Sequence, residues 1–189
     1  WRSLRGEEAP ISVNEQRAAH KSISSGITTG RDMMNYDEAC NVLLALSRDV
    51  EIRLRKEGVF ARGVQIAVRR TEGLQWQQYG RQLEFATQSA GGIYECAREL
   101  MKLYEWECPL RSLCVRATEL DGGKYVQENM LGDLERHEKR DLVSSAVYDL
   151  CRKFGKEAVK PAAMLSCPVP GCGERINCLP DAALRNGGK

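Results

Sequence analysis

The sequence has few of the residues that would announce enzymatic chemistry or a membrane. Its two histidines, His20 and His137, stand alone with no partner at a recognisable spacing, so neither is read as a catalytic base. No run approaches the ~18 apolar residues that a membrane-crossing helix needs, and no secretory leader pattern opens the chain. A cytoplasmic location is expected. Net charge is small: 28 Lys and Arg stand against 26 Asp and Glu, leaving +2. That excludes an argument from overall charge to a polyanionic partner, and any nucleic-acid contact has to come from local clustering. The paired Cys-x-x-Cys of a zinc ribbon is missing although there are 8 cysteines. Cys40, Cys96, Cys114 and Cys151 fall inside apolar periodic segments, where a free cysteine behaves as a small hydrophobe. Cys167, Cys172 and Cys178 have no ribbon spacing, so no metal site is assigned.

What is present centres on residues 62–85, RGVQIAVRRTEGLQWQQYGRQLEF. Val64, Ile66 and Val68 alternate with Gln65, Ala67 and Arg69. After Thr71-Glu72-Gly73 the alternation resumes, with Leu74 and Trp76 set against Gln75 and Gln77. A period of two with this contrast predicts a half-buried antiparallel pair joined by a tight turn, with helices on the apolar side. The polar, basic side is expected to be wet, and Gln65, Arg69, Gln75, Gln77, Tyr79 and Arg81 are assigned to it. Arg70 shares the inward parity but sits at the strand end.

Around this hairpin the periodicity changes. Residues 20–30 read as a strand, and Asp37–Lys56 as a helix in which Ala39, Leu43, Leu46, Val50 and Leu54 recur at three- and four-residue steps. Asp37 is its expected N-cap and Gly58 its stop. A second helix is expected over 89–106, with Ile93, Ala97, Leu100 and Tyr104 on one face. Residues 110–120 read as a closing strand, ended by Asp121-Gly122-Gly123. The predicted class is α+β: a ferredoxin-like βαββαβ arrangement, a four-stranded antiparallel sheet with two helices on one face and the other face open. Residues 20–123 form this domain. A C-terminal helical extension follows over 124–166: an extended segment, then a helix at 133–154 with Val143, Val147, Leu150 and Phe154 on one stripe and a charged, solvated opposite face. Residues 167–189 are expected to be a flexible tail.

In this order the motifs resemble a known domain. Lys21-Ser22-Ile23, Thr28 and Thr29, Arg31-Asp32, Arg53-Leu54-Arg55-Lys56-Glu57-Gly58, Tyr79-Gly80-Arg81 and Pro109-Leu110-Arg111 resemble the little finger of Y-family translesion DNA polymerases, on the DNA polymerase IV-like, bacterial branch. The resemblance covers roughly residues 20–120, and Lys153–Lys160 resembles the tail of Gram-positive-type members. It implies that residues 1–19 are the end of the thumb and a linker, and the start at Trp1 reads as a fragment of a longer chain. It also implies sequence-nonspecific binding to the backbone of primer-template DNA, with Lys21, Ser22, Thr28 and the outward hairpin residues against phosphates. One departure stands out. The family usually places Arg-x-Arg in the third strand, and here Tyr79 replaces the first arginine.

Nucleotidyl transfer in that family uses magnesium held by palm carboxylates. No such set is visible here, so the fragment itself is expected to hold no cofactor and no catalytic residue, whereas the parent would need magnesium. Gln127, Met130 and Leu131 resemble the short peptides that dock onto the bacterial sliding clamp, where an extended strand inserts apolar side chains into a groove. A linker packed on its own domain explains the same residues. The competing class is a ferredoxin-like protein-interaction or small-ligand-binding module without nucleic acid, for which an apolar pocket in place of a basic, hydroxyl-lined face would be the signature.

Overall fold

A computed structural model of the chain describes residues 21–72, 75–122, 134–155 and 158–164. Strand β1 (Ser22–Met33) leads into helix α1 (Tyr36–Glu57), then β2 (Phe60–Arg70), β3 (Trp76–Thr87), α2 (Ala90–Met101), β4 (Leu110–Asp121) and α3 (Leu134–Phe154). The predicted βαββαβ order is therefore present. The sheet order is β1-β4-β2-β3 with every neighbouring pair antiparallel. Each βαβ unit is split, because β4 lies between β1 and β2 and β2 lies between β3 and β4.

Both helices lie on one side of this sheet. Ile23 and Ile27 of β1, Val64, Ile66 and Val68 of β2 and Leu113, Val115 and Ala117 of β4 turn inward against Leu43, Leu46, Val50 and Leu54 of α1 and Ile93, Ala97 and Leu100 of α2. Burial of aliphatic side chains at ~25 cal/mol per Å² of apolar surface is the main force holding the layers together. Polar groups on the inward side are answered locally: Thr29 Oγ1 donates to the Arg111 carbonyl at 3.2 Å and Ser47 Oγ to the Leu43 carbonyl at 2.7 Å.

The start of α1 differs from expectation. The N-cap is Asn35, whose side-chain oxygen accepts from the Glu38 N–H at 2.9 Å, while the Glu38 carboxylate accepts from the Met34 N–H at 2.7 Å. Asp37 lies inside the first turn, where its charge suits the helix dipole. The stop is as predicted, with Gly58 at φ 67° in the left-handed region that favours glycine. Helix α2 ends at Met101 rather than near 106. Tyr104 is buried all the same, because a turn carries it inward, where its hydroxyl donates to the Cys108 carbonyl at 2.9 Å and its ring meets Trp106 edge-on at 5.1 Å.

The largest correction concerns β3. Residues 71–75 join the strands by a longer connection than a tight turn, and the register pairs Ile66 with Tyr79, Val68 with Gln77 and Val64 with Arg81. Paired residues share a face, so Gln77, Tyr79 and Arg81 lie on the helix-covered side, and Trp76, opposite Arg69, lies on the open side. The sequence reading carried the even-numbered apolar phase of β2 straight into β3. The register pairs the even-numbered residues of β2 with odd-numbered residues of β3, which exchanges the two faces.

Helix α3 meets the domain in part through the charged side that the sequence left to solvent, while Val143 and Val147 of its apolar stripe line a groove against α1 and α2. Arg140 pairs with Glu95, Asp141 accepts from Thr87 Oγ1, Ser144 hydrogen-bonds Glu51, and Arg55 lies 5.4 Å from the Tyr148 ring centroid. Leu142, Val143, Leu150 and Phe154 are exposed. The outer surface of α1 and α2 offers Glu51, Arg55 and Glu95 to the polar side chains of α3.

Candidate nucleic-acid interface

Pairing across the sheet lays the open face out in rows. Reading from β1 through β4 and β2 to β3, they are Ser22–Thr118–Gly63–Gln82, Ser24–Arg116–Gln65–Gly80, Gly26–Cys114–Ala67–Gln78 and Thr28–Ser112–Arg69–Trp76. No aspartate or glutamate occupies any of these positions. Two arginines, five hydroxyls and three glutamines stand among three glycines, an alanine, a cysteine and Trp76. The face is therefore polar, locally cationic and low in relief.

Side chains crowded against its glycines keep it low. A Cβ on Gly63 would come within 2.5 Å of Thr118 Oγ1, and one on Gly80 within 2.8 Å of Gln65 Cγ. Thr118 fills the space over Gly63, and the Gln65 side chain lies over Gly80. At the rim, Gln82 donates to the Glu119 carboxylate at 3.2 Å, and Glu119 adopts φ 52°. Arg62 pairs with Asp121 at 2.8 Å and Arg111 with Asp32 at 3.1 Å, so these cations are already partly neutralised. Arg69 and Arg116 share their rows with no carboxylate.

The last row is a connected hydrogen-bond relay. Thr28 Oγ1 and Ser112 Oγ are 2.8 Å apart, Arg69 Nη2 donates to Ser112 Oγ at 2.9 Å, and the Arg69 guanidinium carbon lies 5.5 Å from the Trp76 ring centroid. Ser112 is 0% exposed, which fixes this anchor. The electrostatics on the covered side are different in kind. There, burial raises the Cys40 and Cys96 thiols and raises the Tyr36 phenol to about 12, so these groups stay neutral at physiological pH.

Of the residues singled out in the sequence, the register brings Ser22, Thr28, Gln65 and Arg69 together on the open face. Lys21 is exposed just before β1, and Gln75 is exposed in the loop before β3. Gln77, Tyr79 and Arg81 are not brought together with them: Tyr79 packs against the core, and Arg81 lies near Cys96 and Glu99 of α2. Sequence reasoning missed Ser24, Ser112, Arg116, Gln78 and Gln82. The alternation of Arg111, Leu113, Val115 and Ala117 with Ser112, Cys114, Arg116 and Thr118 carried a signal for β4, blurred by Arg111 and Cys114, which break a clean apolar–polar contrast. Gln127, Met130, Leu131 and the tail cysteines lie outside the described residues. A separate open groove of about 760 Å³ lies between α1, the start of α2 and α3, lined by Leu44, Arg48, Glu51, Val143, Val147 and Pro161 among others.

The fold and this face define a one-sheet α+β module with helices behind and a hydroxyl-, amide- and arginine-bearing surface in front. The chain belongs to the impB/mucB/samB family: the profile of that family's C-terminal domain matches residues 20–130, more than half of the sequence. It is 27% identical over 168 residues to a DNA polymerase IV of Acetivibrio thermocellus, covering 87% of this chain and 42% of that protein. It is 32% identical over 148 residues to a DNA polymerase IV of Moorella thermoacetica, covering 77% of this chain and 36% of that protein. The chain thus spans about two fifths of the length of these relatives. Among solved structures, a Y-family DNA polymerase chimera superposes with a TM-score of 0.48 at 11% identity, covering 63% of this chain and 33% of that one. No helix among the described residues is long and apolar enough to cross a membrane.

Proposed function

We propose that this chain is the little finger of a Y-family translesion DNA polymerase, and that its open sheet face holds the sugar-phosphate backbone of primer-template DNA without reading base sequence. The observation that carries this reading is the composition of the paired rows, with Arg69 and Arg116 set among hydroxyls and amides and no carboxylate among them. Guanidinium groups neutralise phosphates, and hydroxyls and amides donate to their oxygens. The glycines and Ala67 let a duplex backbone approach closely. Lys21 adds charge at the rim. Gln77, Tyr79 and Arg81 contribute from the edge strand at most, and the missing Arg-x-Arg partner matters less than the sequence implied, since Arg116 supplies a second charge on the face itself.

The relatives' name, DNA polymerase IV, supports nucleotidyl transfer by the parent enzyme in DNA damage bypass, in the cytoplasm, with magnesium. Among the described residues no group of three His, Cys, Asp or Glu side chains stands where it could hold a metal ion. The magnesium ligands are assigned to another domain of the parent. Docking to a sliding clamp through Gln127, Met130 and Leu131 rests on sequence alone. Loss of clamp binding in a Gln127→Ala, Leu131→Ala variant tests it, and unchanged binding removes it.

Titration of labelled primer-template DNA at low salt tests the main reading. Arg69→Ala with Arg116→Ala is expected to weaken binding on the order of tenfold, at roughly 1 kcal/mol or less per lost contact. Absence of binding by the unaltered chain, or an unchanged affinity in the double variant, contradicts it.

A further inference from the structure

The Thr28–Ser112–Arg69–Trp76 row differs from the other rows of the open face in ending on an aromatic ring. Trp76 is the one aromatic residue in the paired rows of this face among the described residues. It is half-buried, and its neighbours along the chain and strand, Gln75 and Gln78, are exposed. Arg69 does not wander over it. The guanidinium is tied at 2.9 Å to a hydroxyl that is itself buried and bonded to Thr28, and from that fixed point it lies 5.5 Å from the indole centroid. The tie to Ser112 uses one of the five N–H donors of arginine and leaves the others for an outside acceptor.

We propose that Arg69 and Trp76 form a subsite for an unpaired nucleotide: the indole stacks a base, and the guanidinium takes the adjoining phosphate. The inference rests on the DNA-binding reading above and deepens it, because it names the form of DNA that this corner of the face prefers. In a duplex both π-faces of each internal base are covered by neighbouring pairs. An aromatic side chain gains stacking energy from a base that is out of the stack, and it does so with little regard to base identity. The charge environment fits such an occupant, as no carboxylate shares the row. The site would therefore distinguish a duplex carrying a single-stranded template extension from a blunt duplex, while staying blind to sequence.

The alternative role for Trp76 is structural, a cover for the aliphatic stem of Arg69. The two roles differ in their readout. Fluorescence anisotropy is measured on the full 189-residue chain with a blunt duplex and with the same duplex bearing a single-stranded extension. Trp76→Ala is expected to weaken binding to the extended DNA by roughly fivefold or more, while affinity for the blunt duplex changes less than about twofold. Trp76→Phe is expected to retain most of the preference, which separates loss of the ring from loss of the fold. Independently, the part of the tryptophan emission that disappears in Trp76→Phe should be quenched by an oligothymidylate. Equal losses on both DNAs, no loss on either, or no quenching of that emission would overturn the subsite. If the unaltered chain binds neither DNA, the DNA-binding reading falls with it; if it binds both and Trp76→Ala changes nothing, the subsite alone falls.

Discussion

The two faces of the sheet are made by the same four strands and obey opposite rules. Behind, Val64, Ile66 and Val68 meet Leu113, Val115 and Ala117 and two helices, and every one of these side chains is buried. In front, Gln65, Ala67 and Arg69 meet Ser112, Cys114 and Arg116, and the side chains are short, hydrogen-bonded along rows, or cationic. The covered face specifies the fold through volume. The open face is polar and low in relief, and its one fully buried hydroxyl, on Ser112, is satisfied by Thr28 and Arg69. Which residues do which job depends on one number, the register of each pairing, since a slip of one residue exchanges the faces of a strand.

The sharpest way to break the contrast is a matched pair of truncations on adjacent residues. Ile66→Ala, at 0% exposure on the covered side, is expected to cost about 2–5 kcal/mol. Gln65→Ala, its neighbour on the open side, should stay within about 0.5 kcal/mol. Urea denaturation reads both, and equal costs would show that the faces are not distinct. A smaller effect is expected where the open face depends on a side chain seated over a glycine. Gly63→Ala would place a Cβ 2.5 Å from Thr118 Oγ1, and a cost of about 1–3 kcal/mol is expected. Adding Thr118→Ala should restore part of it, so a double-mutant cycle that comes out additive would contradict the contact.

The smallest effect concerns α1, which carries the covered face. Asn35→Ala should cost about 1 kcal/mol through loss of the cap. Glu38 adds a pH dependence. The Met34 N–H, then Arg31, hold its carboxyl below its ordinary pKa. A folded pKa below the unfolded one means that the contribution is present above the unfolded value and is lost as pH falls through the folded value. Glu38→Gln should accordingly flatten the decline in stability on acidification, as followed by thermal melts across the acid range.

Much of this was legible in the sequence where periodicity was long and clean. Helix α1 could be read from Ala39 to Leu54 and its stop from Gly58, because a long run of three- and four-residue apolar steps averages out single exceptions. The β2 strand was legible for the same reason, and Thr28, Gln65 and Arg69 fell on the correct face. The phase of β3 was not legible, because it is set by the register of its pairing with β2 rather than by residue type. Tyr79 and Arg81 look polar enough for a wet face, yet an edge strand lets a tyrosine pack its ring inward and an arginine extend past a helix. Arg116 was missed because the strand around it mixes Arg111 inside a mostly apolar pattern. The contacts of the charged side of α3 were illegible for a tertiary reason, since they depend on Thr87, Glu95 and Glu51, which only the fold brings beside it.

The central claim is that DNA binds the open face and not the covered one. The salt dependence of primer-template affinity tests it most directly, compared between Arg69→Ala with Arg116→Ala and Tyr79→Phe with Arg81→Ala. Each lost phosphate contact lowers the slope of log affinity against log salt by about 0.9. The account predicts a slope reduced by about 1.8 in the first variant and nearly unchanged in the second. A slope that falls in the second variant and holds in the first would contradict it.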